Sequence, residues 1–239
     1  MKAAEGQHPM AQSHLAQCYR NGTGVEQDHT KATGLYRNLA ERGILQAQIV
    51  FGGCYEVGEG VDQDYDAAIE WYSKAADQGS EDGRHLMAVC LHQGFGTTED
   101  REKAAVIFEQ LANDGHSDSQ YWIGRCYSYY NGGVSRNLKM AFKWCGKSAS
   151  QGNSFGQWMF GGCHLTGDGI TRDYAKAIEW YRKSSEQGNP YGQFSLASCY
   201  EAGFGVPVEI DTAIFWFRKS ANQGLGGSID CLKNLGKWP

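Results

Sequence analysis

The chain has 239 residues, of which 41% are hydrophobic and 21% charged, a balance that excludes an intrinsically disordered segment. Its net charge is -5 and it holds no run of Lys and Arg, which argues against a phosphate-tracking nucleic-acid surface. No apolar stretch approaches the ~18 residues of a membrane-spanning helix, so no membrane insertion is expected.

At the N-terminus "MKAAEGQHPM" shows no apolar signal core, and no secretory leader is expected there. "KAAEG" at Lys2–Gly6 matches "KAADQG" at Lys74–Gly79 less one residue, as if the chain continued a longer array. From there the sequence repeats. Cysteines fall at 18, 54, 90, 126, 163 and 199, spaced 36, 36, 36, 37 and 36 apart. Gly43, Gly79, Gly115, Gly152, Gly188 and Gly224 keep the same beat, as do Ala32, Ala68, Ala104, Ala141, Ala177 and Ala213. A fixed period of this length signals stacked supersecondary units. The units are 7–42, 43–78, 79–114, 115–151, 152–187 and 188–223, followed by a closing helix near 226–236, and the whole is read as one repeat domain.

Each unit divides into two helical patterns, A and B. The first five open helix B with Asp28, Asp64, Asp100, Asn137 and Asp173, residues suited to accept backbone N–H groups at an N-cap. The G-x-G turn between A and B, and the periodic glycine after B, suit left-handed caps. The third unit departs most, with Thr97 in the turn and "VIFEQLAND" in helix B. Its His85 and His92 lie seven residues apart, about 10 Å in helical rise, and read as surface histidines. The fourth unit carries one extra residue in the turn "SYYNGGV", where a stacked fold tolerates insertion. In the sixth, helix A is predicted over Pro190–Ala202, burying Gly192, Leu196, Cys199 and Gly203. Helix B is predicted over Glu209–Gln223, with Ala213, Trp216, Phe217, Ser220 and Ala221 as its stripe. One such pair cannot bury both apolar faces alone, so neighbours must stack.

"GQFSLASCYEAGFGVPVEIDTAIFWFRKSANQG" (Gly192–Gly224) resembles the Sel-one-like repeats, relatives of the tetratricopeptide repeats. "GEGVDQDYDAAIEWYSKAADQG" (Gly58–Gly79) and "GDGITRDYAKAIEWYRKSSEQG" (Gly167–Gly188) fit that pattern nearly throughout. The resemblance implies an all-α, right-handed α/α solenoid whose helix A row lines the concave surface, and an adaptor that holds peptides or proteins. The family usually places Leu or Met where this chain repeats Cys, so the cysteines read as small buried hydrophobes. One Cys per unit is no zinc pattern, and no metal or cofactor is expected. Cys145 is expected in the core and Cys231 partly exposed. A secreted, cysteine-rich branch of the family pairs helices through C-x7-C. That pattern is missing here, so a reducing, cytoplasmic setting is favoured, with secretory or periplasmic locations still open. Some relatives in that branch have been discussed as β-lactam hydrolases, but neither S-x-x-K nor K-T-G occurs here. No enzymatic activity is expected.

On this fold the free stripe of helix A in units four to six is rich in aromatics. The residues expected to bind a partner are Tyr121, Trp122, Arg125, Tyr129, Phe155, Trp158, Met159, Tyr191, Phe194 and Glu201. Gly162 and Ser198 leave room between them. Packing between repeats is the competing reading for Tyr121, Trp158 and Phe194. The expected partner is a protein or peptide segment with apolar or aromatic anchors. Self-association, as a homodimer, is the alternative.

Overall fold

The computed structural model describes residues 8–238, which hold thirteen helices and no strand. In chain order they are α1 (Pro9–Asn21), α2 (His29–Glu41), α3 (Leu45–Val57), α4 (Tyr65–Asp77), α5 (Glu81–Gln93), α6 (Arg101–Asp114), α7 (Ser117–Ser128), α8 (Leu138–Ser150), α9 (Ser154–Thr166), α10 (Tyr174–Glu186), α11 (Pro190–Ala202), α12 (Ile210–Ala221) and α13 (Gly226–Asn234). Odd-numbered helices are the A helices of six repeats, even-numbered the B helices, and α13 closes the array. This is an all-α solenoid. The apparent start inside a B helix, at Lys2–Gly6, lies outside the described residues.

The helix boundaries follow from local chemistry. Asp28, Asp64, Asp100, Asn137 and Asp173 each accept the backbone N–H three residues on, at 2.9–3.1 Å. In the sixth repeat Glu209 takes that place and makes no such bond. Its longer side chain instead accepts the Thr212 hydroxyl, 2.9 Å away. At the far end of α1, α3, α5, α9 and α11 a left-handed glycine donates its N–H to the carbonyl of the periodic cysteine four residues back. The glycines after the B helices are left-handed as well.

The described residues form two compact units that divide between Ile107 and Phe108. In the first, α1 to α5 pack each against the next. Its core holds Ala16, Ala32, Tyr36, Leu39, Ala40, Ala47, Phe51 and Cys54. In the second, α7 to α13 do the same, and α9 also touches α7 and α11 directly, so the A helices form their own row. Small residues let an A helix close on its own B helix. A Cβ on Gly161 would lie 2.8 Å from the Tyr181 ring.

Cys54, Cys90, Cys126, Cys163 and Cys199 are buried, as is Cys145, while Cys18 and Cys231 are half-buried. Burial pushes the Cys199 thiol up to about 11 and the Cys90 thiol up to about 12. Such thiols carry little thiolate at neutral pH. His85, expected at the surface, is instead buried at 7% exposure. It is the fifth residue of α5 and shares a flank with the buried Ala88, three residues on, opposite the Gly83 face.

A ladder of buried glutamines was not anticipated. Gln48, Gln120, Gln157 and Gln193 each donate to a carbonyl of the preceding B helix, at 3.1–3.4 Å. Each also accepts from a glutamine at the end of its own repeat's B helix: Gln78, Gln151, Gln187 or Gln223, at 2.7–2.9 Å. A buried amide is tolerable only when its polar atoms are paired. Both ends of these side chains are.

Candidate protein interface

The fourth repeat breaks the pattern at the end of its A helix. Where the other A helices of the described units meet a left-handed glycine, α7 runs into Tyr129, which is extended at φ -106° and ψ 151°. The additional residue carries the chain outward, leaving Tyr129 56% and Tyr130 85% exposed. The turn is nonetheless fixed. Arg136 donates through Nε to the Ser128 carbonyl at 3.1 Å and through Nη1 to the Tyr130 hydroxyl at 3.3 Å. Its guanidinium carbon lies 4.8 Å from the centre of the Tyr130 ring, a cation–π distance. Gly132 closes the turn against α7, where a Cβ would fall 2.0 Å from the Cys126 carbonyl oxygen.

Between this turn, α9 and α11 lies a cleft of about 510 Å³. Tyr129, Tyr130, Trp158, Met159 and Tyr181 give it apolar walls, and Gly162 leaves it open. Arg136 and Asp168 are the charged residues of its lining. Trp158 is held in place by its indole N–H, which donates to Ser195 Oγ at 3.0 Å.

A path of aromatic rings leads along the A row to this cleft. Trp122 lies 6.0 Å from Tyr121, Tyr121 5.5 Å from Phe155, Phe155 6.2 Å from Tyr191, and Tyr191 5.0 Å from Trp158, centre to centre. These are favourable ring–ring separations. Arg125 lies over Trp122 at 4.7 Å, and Trp122 stacks on the buried Phe108. Phe155 and Tyr191 are exposed at 38% and 41%, while Tyr121, Trp122 and Trp158 are half-buried. Burial pushes the Tyr121 hydroxyl up to about 12.

The structure thus brings together eight of the ten sequence-selected residues. Tyr121, Trp122, Arg125, Phe155 and Tyr191 lie along the path, and Tyr129, Trp158 and Met159 line the cleft. Two lie apart, towards the closing helix. Phe194 packs on Phe217 at 5.7 Å and beside Gly227. Glu201 is half-buried, and with burial its charge raises the Cys231 thiol of α13. Sequence reasoning missed Tyr130, Arg136 and Asp168. The one extra residue in "SYYNGGV" was the available signal for the first two. Asp168 falls inside an ordinary repeat turn and carries no such mark.

Among the described residues no cluster of His, Cys, Asp and Glu could hold a metal ion, and no helix is long and apolar enough to cross a membrane.

Comparison with known proteins matches the Sel1 repeat over residues 9–44, 46–80, 82–116, 117–153, 154–189 and 190–225. No curated protein matches the chain. Among solved structures, a Sel1 repeat protein from Oxalobacter formigenes is 27% identical, with a TM-score of 0.77 over 89% of this chain and 85% of its own. A protective antigen of uropathogenic Escherichia coli with an SLR fold is 34% identical, with a TM-score of 0.69 over 95% of this chain. The chain spans 48% of that antigen's length. An immunity protein of Pseudomonas aeruginosa, 17% identical with a TM-score of 0.65 over 90% of this chain and 81% of its own, shares the fold alone.

Proposed function

Because the chain belongs to the Sel1 repeat family, whose proteins generally act as non-enzymatic scaffolds for protein interactions, we propose that it binds a peptide or protein segment along the A row of repeats four to six. The observation that carries this reading is the unbroken run of rings from Trp122 to Trp158 ending at an open cleft. A row of partly exposed aromatics on the surface of one unit is the usual composition of an interface hot spot. The rings are fixed by their neighbours, so little side-chain entropy is lost when a partner covers them.

Quantified capture of partners from extracts of the source cell tests this, comparing the natural chain with Phe155→Ala/Tyr191→Ala. Both side chains are already partly solvated, so melting should barely change. Loss of their remaining apolar area on binding should weaken the complex by roughly 1 kcal/mol each. Retention of every specific partner by a folded double variant would move the interface elsewhere. A concentration-dependent dimer in light scattering that the double variant abolishes would make a second copy of the chain the partner.

A further inference from the structure

Three pairs of residues fix where a B helix meets the next repeat. Tyr36 and Cys54 share one core cluster, Tyr72 and Cys90 another, and Tyr181 and Cys199 a third. In each pair the tyrosine lies on a B helix and the cysteine on the following A helix, 18 residues on. The fourth repeat keeps that offset and changes the chemistry. Cys145 of α8 stands in the tyrosine place, so Cys163 of α9 meets a second thiol, and the two interact directly. Tyr36, Tyr72, Phe108, Tyr181 and Phe217 hold the place in the other repeats. The 18-residue offset is also not that of a C-x7-C pair. Cys145 packs on Gly124 of α7 as well, where a Cβ would lie 2.7 Å from its sulfur.

The two thiols differ in access. Cys145 is fully buried, whereas Cys163 is one of the residues lining the cleft beside the Tyr129–Tyr130 turn. They differ in acidity too. Contact with Cys145 holds the Cys163 thiol below the ordinary thiol range, against burial and the charge of Asp168. Contact with Cys163, together with burial, pushes the Cys145 thiol well above that range. Since the thiolate is the nucleophile, Cys163 reacts first.

We infer that hydrogen peroxide converts Cys145 and Cys163 into a disulfide that staples repeat four to repeat five. Cys163, reached through the cleft, attacks one peroxide oxygen. The O–O bond breaks, the departing hydroxide takes up a proton as water, and Cys163 becomes a sulfenic acid. Cys145 then attacks that sulfur. The S–S bond forms while the sulfenic hydroxyl leaves with the Cys145 proton as a second water. Two thiols and one peroxide give one disulfide and two waters. The bond closes the chain between α8 and α9 into a loop and so restricts the unfolded state. Oxidation thereby sets how firmly the seam between the two repeats is held.

Hydrogen peroxide is the probe, applied to the folded natural chain, with free thiols alkylated afterwards in denaturant. Trypsin places Cys145 in Trp144–Lys147 and Cys163 in Ser148–Arg172, so the bond appears as those peptides joined in non-reducing mass spectrometry. The expected result is this pair as the dominant product, with a melting temperature that rises on oxidation and returns with dithiothreitol. Cys145→Tyr restores the residue of the neighbouring repeats, and Cys145→Ala removes the thiol with the least added bulk. Whichever of them melts cooperatively should lose both the joined peptides and the melting shift, while its Cys163 becomes labelled by dimedone, which traps sulfenic acids. Recovery of Cys145 and Cys163 fully alkylated from the natural chain, at peroxide doses that oxidise the half-buried Cys18 or Cys231, would overturn the inference. A mixture of pairings among the eight cysteines would overturn it as well, since a seated bond forms one product.

Discussion

At Gly169 the backbone has φ +76°, and a Cβ would lie 2.2 Å from the Leu138 carbonyl oxygen of the preceding repeat. Gly152 is also left-handed, at φ +87°, but has nothing within 4 Å. The pair separates conformation from contact. Gly152→Ala should cost about 1–2 kcal/mol from backbone strain alone, and Gly169→Ala clearly more, because backbone must also move. Thermal melts of both variants check the order. A second residue-scale expectation concerns alkaline pH. The Tyr121 hydroxyl ordinarily ionises near 10 and is pushed up to about 12, chiefly by burial. Between those values the folded chain holds a proton that the unfolded chain has lost. Its contribution to stability is therefore complete below pH 10 and declines as pH rises from there through about 12. Tyr121→Phe should flatten that part of the decline, and ultraviolet phenolate absorbance should show one fewer late-titrating tyrosine. The beat of cysteines and glycines was legible at this scale because the glycine after each B helix serves the same turn throughout, and the cysteine does so in five of the six repeats. The burial of His85 was not, since which flank of α5 its neighbours cover is a property of packing.

At the scale of the element, the B helices differ in how they begin. Asn137 accepts the Met140 N–H at 3.1 Å, so Asn137→Ala should destabilise by about 1 kcal/mol. Glu209 holds the equivalent position without that bond, so Glu209→Asp should stabilise by a similar or smaller amount. Denaturant titrations followed by circular dichroism measure both shifts. The N-cap series was readable in the sequence because a short side chain before a helix has one job, and the structure supports it in five repeats. The aromatic positions of α7, α9 and α11 were readable as one stripe by helical spacing. Spacing could not show that Phe194 turns to Phe217 of α12 and Gly227 of α13 while Tyr191, three residues before it, joins the run of rings. The last A helix has the closing helix for a neighbour, and that helix does not follow the period.

For the molecule as a whole, stability in such an array is a sum over repeats and their nearest neighbours. Leu39 is fully buried in the first compact unit. Leu39→Ala should cost about 2–5 kcal/mol, with its effect concentrated nearby. Hydrogen exchange should rise in repeats one to three well before repeats four to six, and uniform acceleration along the chain would contradict a neighbour-limited array. The solenoid was legible because its period is written in residue types that packing and turns demand. The glutamine ladder follows the same period but escaped notice, since a glutamine on a helix ordinarily reads as solvated. Its wiring bears on recombination. The amide-to-amide bonds of Gln48, Gln120, Gln157 and Gln193 stay inside one repeat, whereas their bonds to the preceding repeat end on main-chain carbonyls. A carbonyl is present whatever side chain accompanies it. These particular bonds therefore ask for no matching substitution in the neighbour when a repeat is duplicated, deleted or exchanged.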